Sequence, residues 1–195
     1  GKPSFALRDE LTEFHFEDNL RTWWIPAYLD NRYEYHYASS PIDVLDVVHT
    51  PVTFESDGVA ISIHEAALVD YSSMTLKRPR VHGQLLKADL VPWPDGIKVR
   101  GSLPMQSPWR TVQIAQKSYE LANSRLILNL NEPNKLGDVS WVQPGTYVGI
   151  WWCMHIRECS WSTGEQHGAT TENAIRYLDF AAKYDFKGVL IEGWN

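Results

Sequence analysis

Hydrophobic and polar positions follow two different rules along this chain, and the change comes near residue 110. Before it, apolar residues recur at every second position over short stretches, the period of a half-buried strand. Glu13-Phe14-His15-Phe16 alternates in this way, and so does Val59-Ala60-Ile61-Ser62-Ile63 after the turn residues Ser56-Asp57-Gly58. Arg32-Tyr33-Glu34-Tyr35-His36-Tyr37 alternates strictly, which predicts a strand with three tyrosines turned to the core. Leu85 to Val91 and Ile97 to Arg100 flank Pro94-Asp95-Gly96, which reads as a connection between antiparallel strands. Many short strands separated by such turns predict an antiparallel β-sandwich up to about residue 105.

Beyond residue 110 the apolar runs become continuous. Ser118 to Ser124 is a short helix candidate, and Arg125 to Leu130 reads as a strand. A polar, turn-rich stretch follows from Asn131 to Asp138. Tyr147-Val148-Gly149-Ile150-Trp151-Trp152 then has the composition of a buried strand, and so does Gly188-Val189-Leu190-Ile191. Between them, Thr170-Thr171-Glu172 opens a helix with Ala174, Ile175, Leu178, Ala181 and Ala182 on one face. Strand, helix and strand, with both strands apolar, form a βαβ unit of a parallel sheet or barrel. Two such strands cannot close a barrel, which takes about 250 residues. The expectation is an incomplete multi-domain chain: the end of a β-sandwich followed by the first strands of a (β/α)8 barrel.

Composition narrows the partners. The chain has 195 residues, 44% of them hydrophobic and 22% charged, which suits a globular protein and excludes a disordered or fibrous one. A formal charge of −6 argues against a nucleic-acid partner, and no apolar run approaches the roughly 18 residues of a membrane helix. The opening Gly1-Lys2-Pro3-Ser4 carries no apolar leader core. Nine tryptophans within an aromatic content of 12% suit a protein that stacks flat, neutral ligands such as sugars, although large cores also use aromatics. Cys153 and Cys159 show no zinc pattern; free or buried thiols are the expectation, with a bridge as the alternative.

Glu65 is the acid with most to say. It is in phase with Val59, Ile61 and Ile63, so a regular strand turns its carboxylate to the apolar face. A bare buried carboxylate costs several kcal/mol or more, and it demands a cation, hydrogen bonds or a proton. The alternative is a bulge that returns Glu65 to solvent. A second candidate site follows from barrel geometry, in which residues at the C-terminal strand ends face the active site. Trp152 and His155 are expected to end the first parallel strand, and Glu192, Trp194 and Asn195 the second. A carboxylate beside an indole there fits carbohydrate binding. Trp151 is expected to be packing alone. Arg110 either clamps an anion or ties the linker to the sandwich. No P-loop, GxGxxG, HExxH, GxSxG or EF-hand pattern is present.

Several segments together resemble glycoside hydrolase family 97. They are Glu10-Leu11-Thr12-Glu13-Phe14, Ile61-Ser62-Ile63-His64-Glu65-Ala66-Ala67-Leu68, Asn129-Leu130-Asn131-Glu132-Pro133, Tyr147 to Trp152 and Gly188 to Asn195. The resemblance implies a bacterial α-glucosidase or α-galactosidase, periplasmic or secreted, acting on oligosaccharides with α-linked glucose or galactose. It implies that residues 1–140 are part of an N-terminal β-super-sandwich with a linker, and that residues 141–195 begin the catalytic (β/α)8 barrel. It also implies a Ca2+ ion held between carboxylates, one of them Glu65. The family's catalytic carboxylates sit on later barrel strands, so they are expected outside this chain, in the remaining part of a longer one. The rival from another class is a non-catalytic carbohydrate-binding sandwich, against which the βαβ unit argues.

Overall fold

A computed structural model describes residues 3–30, 33–80 and 84–194. The chain forms two compact units: residues 1–33 with 37–133, and residues 134–195 with Glu34–His36.

In the first unit the strands are β1 (Ser4–Leu7), β2 (Glu13–Phe16), β3 (Arg21–Trp24), β4 (Ala38–Pro41), β5 (Val47–His49) and β6 (Val52–Ser56). They continue as β7 (Val59–Ala66), β8 (Met74–Lys77), β9 (Gln84–Leu90), β10 (Val99–Ser102) and β11 (Trp109–Ala115). Two short helices follow, α1 (Ser118–Ala122) and α2 (Leu126–Leu130). One sheet has the order β11-β7-β6-β3-β4 and a second the order β2-β9-β8-β5, with β1 and β10 pairing apart from both. Every pairing in this unit is antiparallel.

The alternation seen in the sequence decides what lies between the sheets. Val52, Phe54 and Ile63 from one sheet meet Met74, Leu76, Leu86 and Leu90 from the other in a single buried cluster. Phe54 is fully buried and tilts against Phe16 with ring centroids 4.6 Å apart. The opposite face of β7 and β11 packs against α1 and α2, which buries Ser62 and Thr111 there. The Asn131 side chain accepts from the Ala67 N–H at 3.0 Å, which anchors the end of α2 to the end of β7.

The second unit contains β12 (Tyr147–Gly149), α3 (Trp152–His155), α4 (Thr171–Lys183) and β13 (Gly188–Leu190). β12 and β13 pair in parallel, Tyr147 beside Gly188, with α4 in the connection between them. Thr170 caps α4, its Oγ1 accepting from the Asn173 N–H at 3.2 Å. Ile150, Met154 and Ala169 form the small core. No described helix is long and apolar enough to cross a membrane.

Five expectations need correction. The tyrosine segment is not a strand: Tyr33 and Tyr37 are exposed, and Arg32 lies outside the described residues. β3 is already flanked by β6 and β4, so its ladder has no vacancy for that segment. Leu126 to Leu130 is helical, because a five-residue segment with four apolar residues is too short to show a period of its own and leucine accepts a helix readily. The turn at Pro94-Asp95-Gly96 exists, with the Gly96 N–H donating to the Trp93 carbonyl at 2.8 Å, but its flanking strands β9 and β10 belong to different sheets. The Tyr147–Trp152 run is a strand only as far as Gly149; the Trp151 indole folds back on Gly149, and the chain turns into α3. On α4 the buried positions are Ala174 and Ala181, whereas Ile175 and Leu178 are exposed.

Candidate functional site

Glu65 lies near the end of β7, the eight-residue strand of the five-stranded sheet. The strand stays regular through this point, with Arg110 directly opposite on β11. Glu65 therefore keeps the phase of Ile61 and Ile63 and is only 6% exposed. The bulge that would have returned it to solvent does not occur. His64 faces the helix side, opposite Thr111, with its Nδ1 3.1 Å from the Thr50 hydroxyl.

The compensation demanded by burial is a cation and a backbone donor. Arg110 Nη1 donates to Glu65 Oε2 at 2.6 Å, and the Met74 N–H donates to Glu65 Oε1 at 3.0 Å. The other edge of the guanidinium grips Glu10 in bidentate fashion, Nε to Oε1 at 2.7 Å and Nη2 to Oε2 at 2.5 Å. The Arg110 guanidinium also lies over the Tyr71 ring, 5.9 Å from its centroid. Arg110 is thus a strand residue that holds two acids, one from the β1–β2 connection and one from β7.

Two carboxylates share one guanidinium, so the cluster is a net anion when both are ionised. Burial pushes the Glu65 carboxyl above its ordinary range, with the Met74 N–H and Arg110 opposing and Glu10 reinforcing. Burial is the largest single influence on Glu10 and works against its charge, but the hydrogen bonds and positive charge of Arg110, with a hydrogen bond from Thr12, together outweigh it and hold Glu10 below the ordinary range. Burial disfavours the Arg110 charge as well, and pairing with Glu10 and Glu65 overcomes it, so the guanidinium holds its proton more tightly. Glu65 is accordingly the acid that takes the first proton. Burial, with the Glu65 charge behind it, raises the Tyr33 phenol too.

The donor chemistry at Glu65 suits one ligand of a hard cation, since each carboxylate oxygen accepts a single bond and keeps a lone pair. It does not make a complete site. Calcium takes about six to eight oxygens, and among the described residues no group of three or more acidic, histidine or cysteine side chains is placed to hold a metal. The acid nearest in this network, Glu10, is itself committed to Arg110.

The second candidate site lies past the C-terminal ends of the parallel strands, where α/β sheets bind ligands. Trp151 to His155 follow β12, and Glu192 to Trp194 follow β13. Trp152 is 42% exposed and Trp194 54% exposed, while Glu192 is also open to solvent. Trp152 and His155 do not end the strand, as the sequence implied; both sit on α3, one turn beyond it. Asn195 lies outside the described residues. Trp151 packs against the small core, as expected, and its ring meets those of Trp152 and His155 edge-on at 5.7 Å each. His155 in turn meets Trp161 edge-on at 5.0 Å. Cys153 and Cys159 form a disulfide, which corrects the free-thiol reading and closes the loop that leads to Trp161.

Sequence reasoning missed Trp161 and the pairing of Glu10 with Arg110. Glu10 and Arg110 lie 100 positions apart, and nothing local announces their contact. A buried-phase acid opposite an arginine was the available signal, but strand pairing had first to be known.

Comparisons with known proteins identify the family. Residues 2–133 match the family described as Glycosyl-hydrolase 97 N-terminal, and residues 151–195 match Glycoside hydrolase 97. A retaining alpha-galactosidase of Bacteroides thetaiotaomicron is 26% identical over 230 residues, covering 100% of this chain and 34% of that protein. A Glycoside Hydrolase Family 97 enzyme of Pseudoalteromonas sp. strain K8, solved in complex with acarbose, is 54% identical with a TM-score of 0.74. A variant of it in complex with panose aligns equally well, and both alignments cover 100% of this chain and 30% of the solved one. A beta-arabinopyranosidase at 16% identity and a TM-score of 0.60 shares the fold, over 97% of this chain and 32% of that one. The chain thus spans about a third of the length of these relatives. With both matched segments in the order of its sandwich and its βαβ unit, the chain belongs to glycoside hydrolase family 97.

Proposed function

We propose that this chain is part of an α-glycoside hydrolase that acts on oligosaccharides with α-linked glucose or galactose. The supporting observation is the 54% identity, across the whole chain, to an enzyme whose structures hold acarbose and panose. Residues 1–140 serve as sandwich and linker, and residues 141–195 begin a (β/α)8 barrel whose first two strands are β12 and β13. Hydrolysis proceeds between two carboxylates, an acid and a base or nucleophile, supplied by segments outside these 195 residues.

Within the chain, Trp152, His155, Glu192, Trp194 and Asn195 contribute to sugar binding. An exposed indole offers the apolar face of a pyranose a flat surface, and a carboxylate accepts from its hydroxyls. Glu65 provides one carboxylate ligand of a Ca2+ ion whose remaining ligands come from elsewhere in the longer polypeptide. When bound, such an ion would supply positive charge to the site. Arg110 and the Met74 N–H fix the Glu65 carboxylate in one orientation, which an oxygen ligand requires. The protein is periplasmic or secreted; the Cys153–Cys159 disulfide supports this, because such bonds persist in oxidising compartments.

The test is hydrolysis of aryl α-glucosides and aryl α-galactosides. The longer polypeptide should turn over at least one of them, and the 195-residue piece neither. Turnover by the purified piece would place the reacting acids within this chain, with Glu65 and Glu192 the first to be substituted.

A further inference from the structure

Gly193 stands between the two exposed residues of the β13 end, Glu192 and Trp194, and has a φ of +70°. Its missing side chain leaves a space that is already occupied. A Cβ built there would lie 2.7 Å from Cε3 and 2.9 Å from Cζ3 of Trp161. The Cε3–Cζ3 edge of the Trp161 indole therefore sits directly against the backbone of the Glu192–Trp194 segment.

Trp161 is itself held. It packs against the small core and meets the His155 ring edge-on at 5.0 Å. The disulfide from Cys153 on α3 to Cys159 fixes the chain two residues before it. The Gly168 N–H donates to the Ser160 carbonyl at 3.0 Å, and the Ser160 N–H to the Gln166 carbonyl at 2.7 Å, closing the loop behind the indole. Met154 completes the seat: its Cε is 3.5 Å from the same built Cβ position. The result is a path of contacts from the end of β12, through α3 and the disulfide loop, to the end of β13.

We propose that Trp161 is a positioning residue for the sugar-binding segment: by lying on Gly193 it sets the direction in which Glu192 and Trp194 leave β13. The inference rests on the reading that Glu192 and Trp194 contact the sugar. A left-handed glycine between them is a natural pivot, because it adopts many backbone conformations at little cost. The edge of a large, held ring against its open side removes that freedom. The two side chains then meet a pyranoside already aimed, and less ordering entropy is lost on binding. The disulfide loop has the same role one step removed, since it keeps Trp161 in place.

The experiment uses the longer polypeptide, with p-nitrophenyl α-glucoside or p-nitrophenyl α-galactoside, whichever it hydrolyses. Trp161→Ala should raise KM about tenfold with kcat changed less than about threefold, the pattern of lost substrate binding. Trp161→Phe keeps an aromatic edge beside Gly193 and should restore most of the loss. Gly193→Ala approaches the same contact from the backbone side and should raise KM as well. Combined with Trp161→Ala it should cost less than the product of the two single effects, because the clash is relieved. Gly193→Ala also decides the matter if Trp161→Ala fails to fold. An unchanged KM in the Trp161 and Gly193 variants, while Glu192→Gln or Trp194→Ala raises it, overturns the positioning role. An unchanged KM in the Glu192 and Trp194 variants overturns the sugar-contact reading beneath it.

Discussion

The two units of this chain reach order by different routes. The sandwich has a continuous apolar core to which both sheets contribute, from Ile42 and Val48 through Phe54 to Leu90 and Val99. The core cluster of the second unit is just Ile150, Met154 and Ala169, with Ala174 and Ala181 buried on α4, and around the cluster sit Trp151, Trp161, Tyr177 and the disulfide. Antiparallel strands bury one face and finish their work within the sandwich, whereas parallel strands need cover on both faces. Two three-residue parallel strands with one helix supply little of that cover. Ile175, Leu178 and Phe180 on α4 are accordingly exposed, as are Leu136 and Trp141 before β12. The lesson is that the sandwich is held by area and the βαβ unit by particular contacts.

Single substitutions separate these two modes. Phe54→Ala removes the largest fully buried side chain of the sandwich and should cost about 4 kcal/mol in denaturant unfolding. A loss below about 1 kcal/mol would mean that the core repacks and is not the jigsaw described. Arg110→Met leaves Glu10 and Glu65 facing each other without their cation, and about 3 kcal/mol should be lost at neutral pH. Acidification should return part of it, since protonating Glu65 removes the repulsion. In the second unit, replacing both Cys153 and Cys159 with serine should cost about 2 kcal/mol, the loop-closure value for a separation of six. A proteolysis assay at the 153–168 loop would register it.

The smallest effect belongs to the surface of the sandwich. The Lys87 ammonium, 2.7 Å from Asp9, holds the Asp9 carboxyl below its ordinary range. A depressed acid stabilises the fold above its unfolded value and loses that contribution as pH falls through the folded value. Asp9→Asn should therefore cost about 0.5 kcal/mol at pH 7 and nothing once the pH is below both values. Thermal melts at pH 7 and pH 2.5 distinguish this from a packing defect, which would cost the same at both.

How much of this was legible in the sequence follows the same division. Alternation located β2, β7 and β9, because a period of two is imposed wherever one face is buried. It also aimed Glu65 inward, and β7 keeps that phase to its end. The tyrosine segment alternates just as strictly but has no place in the ladder, since pairing is decided by distant strands. In the second unit the parallel pairing of β12 and β13 was legible from their continuous apolar runs. The turn after Gly149 was not, because it depends on where the Trp151 indole packs. Nor was the disulfide, since two cysteines six apart satisfy several readings until the chain between them is folded. The cation that answers Glu65 lay 45 positions away in Arg110 and became visible only through the register of β7 with β11.

We propose that the buried Glu65 carboxylate serves a metal and is not merely a partner of Arg110. Calcium titration of the longer polypeptide, wild type against Glu65→Gln, tests it most directly, because the substitution keeps the shape and removes the charge. The account predicts weaker calcium binding in the variant, with lowered glycoside hydrolysis that added calcium partly restores. Unchanged affinity and turnover would contradict it and leave Glu65 as the structural partner of Arg110 alone.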